Sequence, residues 1–530
     1  MTTGNQSSET SDMNESLQKV AKGALIVFIG TILGILLGFV GRVLIARNFT
    51  QAEYGIFSIG FTILAICGSI GSLGLVDGIP RQIAYYLGRK EIEKVRNVML
   101  FSLLFGLLAG VILFLLIFFS SQIISVAFFR LPELSYTLKV FSIAVPFLIF
   151  IHVLKSIFRG FYNSKEKVIF EDILKNLLFV LIVSVVIWLG YSFKWAIIAF
   201  TCSVVITCVF FIFYFVIKKP ISLFKKAKDK IDFSVGKELL CFSLPLLLLA
   251  VLYQIMTWTD TLMLGYFRSA ETVGLYNAAY PLGRFISTAL LSMIFIYMPI
   301  VSTLHAKNKK YEMRRSYVIL TKWLCGATFP LAAIFVFFPN VVLHVLFGQE
   351  YILAGVALQI FAIGLFVRNL MGPNGATLTA IGQIKFLMYA TFAATCINVL
   401  LNVLLIPRND VFGGVNGAAL ASVIALVSIS LLRSIKLYYI SKIHSLDKNI
   451  LKPTFLSIVL VLIIYLAVKE FLTITFWMLP VFSVLFLIIY VASLFITKSF
   501  DKEDMDMLLS IEKRTGVNLT KVKRLIKKFI

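Results

Sequence analysis

The sequence predicts an all-α polytopic membrane protein of about 14 transmembrane helices, arranged as two six-helix lobes plus two C-terminal helices. Three observations carry this expectation. Hydrophobic residues make up 59% of the 530 and charged residues only 14%, against roughly 45–50% and about 25% in soluble domains. Apolar runs of about 20 residues, the length that crosses ~30 Å of hydrocarbon, recur along the whole chain. One phrase is also written twice, at a constant offset.

The elements follow in order. Residues 1–19 are polar and lack the basic start of a signal peptide, so they are expected to be a disordered cytoplasmic tail. Spans are expected near 20–46, 54–79, 97–120, 136–158, 169–190 and 195–217, forming an N-lobe over 20–217. A basic cytoplasmic linker covers 218–238. A C-lobe over 239–432 follows, with spans near 239–265, 274–300, 318–338, 352–372, 386–406 and 413–432. Helices 13 and 14, near 454–472 and 475–497, occupy 433–497. Residues 498–530 form a basic tail in which Leu519, Val522, Leu525, Ile526 and Phe529 share one helical face, suited to an anionic membrane surface. Uninterrupted apolar runs favour helices, which satisfy their backbone within the segment.

Charge orients the spans. With both termini in the cytoplasm of a cell-membrane protein, 38 Lys and Arg residues fall in inside segments and 6 in outside loops, the bias expected of cytoplasmic loops. The net charge of +24 is thereby absorbed by topology, and a nucleic-acid partner is not expected. The six cysteines lie in apolar spans without CxxC spacing, and the four histidines are scattered, which argues against disulfides and metal sites.

The repeated phrase is "LIARNFTQAEYGIFSIGFTI" at 44–63 and "MLGYFRSAETVGLYNAAYPLGRF" at 263–285. With Gly55 on Gly274, Ala46 meets Gly265, Phe57 meets Tyr276 and Pro80 meets Pro299. Six spans separate the copies, an even number, so both have the same orientation, as in a parallel repeat.

Together with "GLVDGIPRQIAYYLGR" and "FSLPLLLLAVLYQIMTWTDTLMLGYF", these stretches resemble the polysaccharide transporter family. That family includes the Wzx-type flippases of lipid-linked oligosaccharides. It belongs to the multidrug/oligosaccharidyl-lipid/polysaccharide (MOP) exporter superfamily, with the multidrug and toxin extrusion (MATE) transporters. The resemblance covers about residues 17–500. It implies a MATE-like fold, alternating access, no enzymatic activity, and a groove on helices 13 and 14 for a polyprenyl tail.

Polar residues inside spans mark the candidate site, because a charge at bilayer depth costs about 2.5–3.5 kcal/mol on insertion scales. Span 8 places Asn277, Tyr280, Arg284 and Ser287 near one face, span 7 carries Asp260, and span 11 carries Thr391, Thr395, Asn398 and Asn402. Such stripes line a wet central cavity or bond neighbouring helices. Arg42, Lys155 and Arg368 add positive charge; for Arg42 and Lys155, snorkelling to the interface is the competing account. Lys175, one turn after Glu171, is expected to pair with it locally. Gly30, Gly34 and Gly38 read as close packing or a bend.

The expected substrate-binding set is therefore Arg284, Asp260, Asn277, Tyr280, Arg42, Lys155, Arg368 and Asn398. Asp260 is expected to hold Arg284 while substrate is absent. Arginine grips phosphate oxygens bidentately, and the neutral side chains suit a glycan. The function implied is translocation of a polyprenyl-diphosphate-linked oligosaccharide from the inner to the outer leaflet by a chain working as a monomer among membrane lipids. The alternative is an ion-coupled exporter of small organic cations, against which basic residues outnumber acidic ones within the spans. No cofactor is expected, since G-x-x-x-x-G-K-[ST] is absent. A coupling ion, H+ or Na+, and the membrane potential are both open as drives. A glycan polymerase would want a larger external loop than 121–135, whose charged residues are Arg130 and Glu133.

Overall fold

The computed structural model describes residues 27–163, 165–218, 232–445, 447–471 and 475–499. The expected N-terminal tail, most of the 218–238 linker and nearly all of the 498–530 tail lie outside the described residues. Among the described residues the fold is helical throughout, without strands, in two compact units divided after Gly274.

The first unit holds α1 (Val27–Asn48), α2 (Gln51–Gly71), α3 (Leu75–Gly88), α4 (Ile92–Ile123), α5 (Leu134–Gly160), α6 (Lys175–Trp188), α7 (Phe193–Lys218) and α8 (Phe233–Phe267). The expected second span, 54–79, is broken near its end: Leu73 and Gly74 both take positive φ, and α3 then continues to Gly88. α5 is the hub, packing on α2, α3, α4 and α7. Its Phe141 joins Phe57, Phe179 and Phe200 in a ring cluster, with Phe57 and Phe141 edge-on at 5.5 Å between centroids. α8, which the sequence reading gives to the C-lobe, packs on α2, α3 and α4.

The glycine stripe of α1 is a packing surface. A Cβ on Gly34 would fall 2.6 Å from the Asp172 carbonyl oxygen, and one on Gly30 would fall 2.0 Å from Val168. Only a bare backbone allows that approach. The partner is a π-helical segment, Lys167–Leu174, which runs into α6. Asn176 donates to the Gly34 carbonyl at 3.0 Å, and Thr31 donates to Asp172 at 2.8 Å.

The second unit starts within α9 (Ala270–Ala306). It continues through α10 (Lys310–Phe337), α11 (Pro339–Phe347), α12 (Gly355–Leu370), α13 (Asn374–Ala380), α14 (Ile384–Leu405) and α15 (Gly414–Ser441). α12 packs on α10 and α15, and α14 on α15. The end of α9 meets α10, α13 and α15 in an apolar cluster around Tyr297, Tyr317 and Leu437, where the Tyr297 hydroxyl bonds Thr377 Oγ1 at 2.9 Å. α16 (Lys448–Phe471) and α17 (Met478–Ile496) pack on each other and on α10.

Twelve helices among the described residues are long and apolar enough to cross a membrane, with α2 and α3 counted as one crossing. The two further spans in the expected count of about 14 correspond to the π segment with α6, which carries Lys167, Glu171, Asp172 and Lys175, and to the 37-residue α9.

The repeat is visible in local geometry. α1 ends at Asn48 and α8 at Phe267; α2 begins at Gln51 and α9 at Ala270, all at the offset of 219. Thr50 caps α2 with a capping box to Glu53, and Ser269, its counterpart, bonds Thr272 at 3.3 Å. Further on, Lys90 and Asn308 share left-handed φ of 59° and 54°. The next residues, Glu91 and Lys309, share φ/ψ near −86°/68° and −85°/68° ahead of α4 and α10.

Candidate functional site

The first unit encloses a cavity of about 370 Å³. α5 contributes His152 and Lys155, the π segment Glu171, α6 Lys175, and α8 Gln254. Both Glu171 oxygens lie 2.7 Å from the Lys155 ammonium, and His152 Nε2 lies 3.6 Å from Oε1. Glu171 makes its direct ion pair across helices, with Lys155 of α5, rather than with Lys175 four residues on. Lys175 faces the same cavity instead.

Charge on the wall does not balance. Asp77, the other acid lining the cavity, is taken by Arg159 at 2.9 Å, where both side chains are more than half exposed. Two lysines therefore face one embedded carboxylate. A buried pair of this kind contributes little to stability, because desolvation offsets the Coulomb attraction.

Arg42 approaches the same wall from α1. Its guanidinium sits 4.6 Å from the Phe61 ring centroid, and Phe61 lines the cavity and meets Trp258 edge-on at 5.8 Å. Arg42 is thus held by an aromatic face, an attraction of about 2 kcal/mol when desolvated. Asp260 is buried at 1% exposure and is not among the residues lining this cavity.

In the second unit Arg284 is exposed and lies 5.7 Å from the Tyr280 ring centroid. Tyr280 stacks on Tyr276 at 5.5 Å and contacts Phe361 of α12 at the same separation. Three residues after Arg284, Ser287 accepts from Arg368 Nη1 at 3.4 Å. Asn369 donates to the Ile286 carbonyl at 3.2 Å, so α12 grips α9 beside Arg284. Asn277, nearly a turn before Tyr280, is buried, as is Asn398. The α14 hydroxyls of Thr391 and Thr395 bond carbonyls one turn back at 2.7 and 2.9 Å. Thr391 also accepts from Arg433 at 3.1 Å.

The structure places Lys155 on the cavity wall and Arg42 behind it on Phe61, and brings Tyr280, Arg284 and Arg368 to one stretch of α9 and α12. Asp260 is not on the wall of the first-unit cavity. Sequence reasoning passed over His152, Lys175 and Arg433 as site residues. The spacing of His152 and Lys155, one turn apart in an apolar span, was the legible signal. Nothing in the sequence announced that Lys155 pairs with Glu171 across helices.

Comparison with known proteins gives a consistent answer. The model of the family described as polysaccharide biosynthesis protein matches residues 20–305, and the MatE model matches 245–404. An uncharacterized membrane protein of Methanocaldococcus jannaschii is 24% identical over 428 residues, covering 77% of this chain and 81% of that one. A probable low-salt glycan biosynthesis flippase of Haloferax volcanii is 26% identical over 170 residues, 31% of this chain and 35% of the relative. Among solved structures, the lipid II flippase MurJ in an inward closed conformation superposes with a TM-score of 0.64 at 16% identity, covering 88% of this chain and 98% of that one. On the family model that spans more than half of its residues, the chain belongs to the polysaccharide biosynthesis protein family.

Proposed function

We propose that the chain is a flippase that moves a polyprenyl-diphosphate-linked oligosaccharide from the inner to the outer leaflet of the cell membrane, with both termini in the cytoplasm. The observation that carries this reading is the cavity in which Lys155 and Lys175 outnumber Glu171. A diphosphate is the part of such a substrate that lipid rejects most strongly, and a lysine pair within the membrane offers it a counter-charge. The relatives named for glycan biosynthesis and lipid II flipping support the same substrate class.

Lys155 and Lys175, with Arg42 at the wall, take the phosphate oxygens in this account. Arg284 and Arg368 carry the equivalent charge in the second unit, and Asn277, Tyr280 and Asn398 supply neutral contacts to the glycan. Outward passage of one negative charge down a 100 mV inside-negative potential yields about 2.3 kcal/mol, so the membrane potential contributes to the drive in this account, with or without a coupling ion. The reading assigns the chain no chemical step.

A second reading, export of small organic cations, is favoured by the MatE match over 245–404. The excess of lysine in the first-unit cavity opposes it, because a cation there would meet two like charges.

The test is flipping of a fluorescent polyprenyl-diphosphate oligosaccharide in vesicles, read by access of an impermeant glycosidase. Lys155→Met should slow flipping about tenfold or more, the loss of one charge-assisted hydrogen bond of about 1.5–3 kcal/mol. Unchanged flipping by a folded Lys155→Met protein would remove Lys155 from the account.

A further inference from the structure

One carboxylate among the lysines is an odd choice for a cavity that only has to attract an anion. Glu171 takes Lys155 with both oxygens and so occupies the position that a phosphate would take. A volume of about 370 Å³ lined by charged and polar side chains has room for water, so the partners of the pair can exchange. Lys175, at the end of the π segment, faces the same space. Asp77 is turned to Arg159 at the rim, and His152 stands 3.6 Å from the carboxylate.

We infer that Glu171 is a resident competitor: it holds Lys155 while the cavity is empty, gives way when a phosphate or diphosphate anion bridges Lys155 and Lys175, and returns to drive that anion out. This rests on the reading of the cavity as the site of the diphosphate. A carrier has to release what it binds, and two unopposed lysines in a membrane cavity would hold a dianion too long. The internal carboxylate lowers affinity, and release on the far side becomes fast. The displaced carboxylate stays beside Lys175 and His152, so no isolated charge is left in the membrane.

The experiment measures binding of inorganic pyrophosphate and of a short-chain isoprenyl diphosphate to the purified full-length protein, with flipping assayed in parallel. Glu171→Gln should bind both probes about tenfold more tightly, a coupling of ordinary size between two sites, yet turn over more slowly, lowering KM and kcat together. Glu171→Asp, which keeps the charge, should stay close to the parent in both respects. The double variant Lys155→Met/Glu171→Gln should lose the tightening. Tightening for the isoprenyl compound alone would assign the site to the lipid-linked source; tightening for both assigns it to the diphosphate itself.

Pyrophosphate binding by the parent that Glu171→Gln leaves unchanged would overturn the inference while leaving the flippase reading intact. Binding by none of the proteins would overturn both. If Glu171→Gln does not fold, a Glu171→Asp protein with lost or strongly weakened anion release would equally contradict a simple counter-charge role.

Discussion

Gly55 and Gly274, the same position in two copies of one phrase, lie against each other, and their contacts are reciprocal. A Cβ on Gly55 would fall 1.8 Å from the carbonyl oxygen of Ala270, and a Cβ on Gly274 would fall 2.4 Å from that of Gln51. Gln51 and Ala270 are themselves partners at the offset of 219 and are the first residues of α2 and α9. Residue i touching j′ while i′ touches j is the signature of an isologous contact, here made within a single chain. The glycines are therefore kept by a mutual approach of two helix starts that leaves no room for a methyl group.

That approach predicts the outcome of the smallest substitution. Gly55→Ala and Gly274→Ala must each push backbone from backbone, and each should destabilise the purified protein by about 1–3 kcal/mol, the usual range for overpacking. Gly88→Ala is the control, since nothing lies within 4 Å of its added Cβ. Thermal unfolding in detergent reads the three. Equal stability of all three proteins would show that the contact does not exist in solution.

Much of this was legible in the chain. The apolar runs gave the helical class, and the phrase containing Gly55 and Gly274 gave a repeat that the ends of α1 and α8 follow residue for residue. The stripe of Gly30, Gly34 and Gly38 read as close packing, and Gly30 and Gly34 do pack closely. The direct partner of Glu171 was not legible, because Lys155 reaches it from another helix and no local spacing marks a contact between α5 and the π segment at Lys167–Leu174. Nor was the break at Leu73–Gly74. A hydrophobic window averages over a turn that dihedral angles resolve, and "GSLGLVDG" stays apolar enough to hide it.

The helix start at Thr50 gives a second prediction. Its hydroxyl accepts from the Glu53 backbone N–H at 3.3 Å, while the Glu53 carboxylate accepts from the Thr50 N–H at 2.9 Å. Thr50→Ala should cost about 1 kcal/mol, and the loss should appear as a lowered Tm. Thr50→Ser should restore it. A Tm unchanged by Thr50→Ala would mean that the box does not hold α2.

Orientation gives a third. The bias of 38 basic residues to 6 places Lys310 inside and Glu271 outside. In a background with the native cysteines replaced, a cysteine at 271 should react with an impermeant thiol reagent in intact cells, and one at 310 should react only after permeabilisation. The reverse pattern would invert the proposed topology.

Arg284 gives a fourth. Its guanidinium is held at the face of Tyr280 and accounts for the polar stripe of α9. Arg284→Ala should cut flipping at least tenfold, and Arg284→Lys should recover only part of it, because a point charge replaces a planar fork. Lys310→Ala, on an exposed helix start, should flip at the parental rate. Full activity of Arg284→Ala at matched expression would remove that residue from the substrate path.

The proposed cargo is an anionic, lipid-linked glycan. The full-length protein, reconstituted in vesicles, is offered two substrates under an imposed potential, a polyprenyl-diphosphate oligosaccharide and a small organic cation. The oligosaccharide should become accessible on the far leaflet, faster as the potential favours movement of negative charge, and the cation should not be moved. Transport of the cation with no flipping of the oligosaccharide would contradict the proposal.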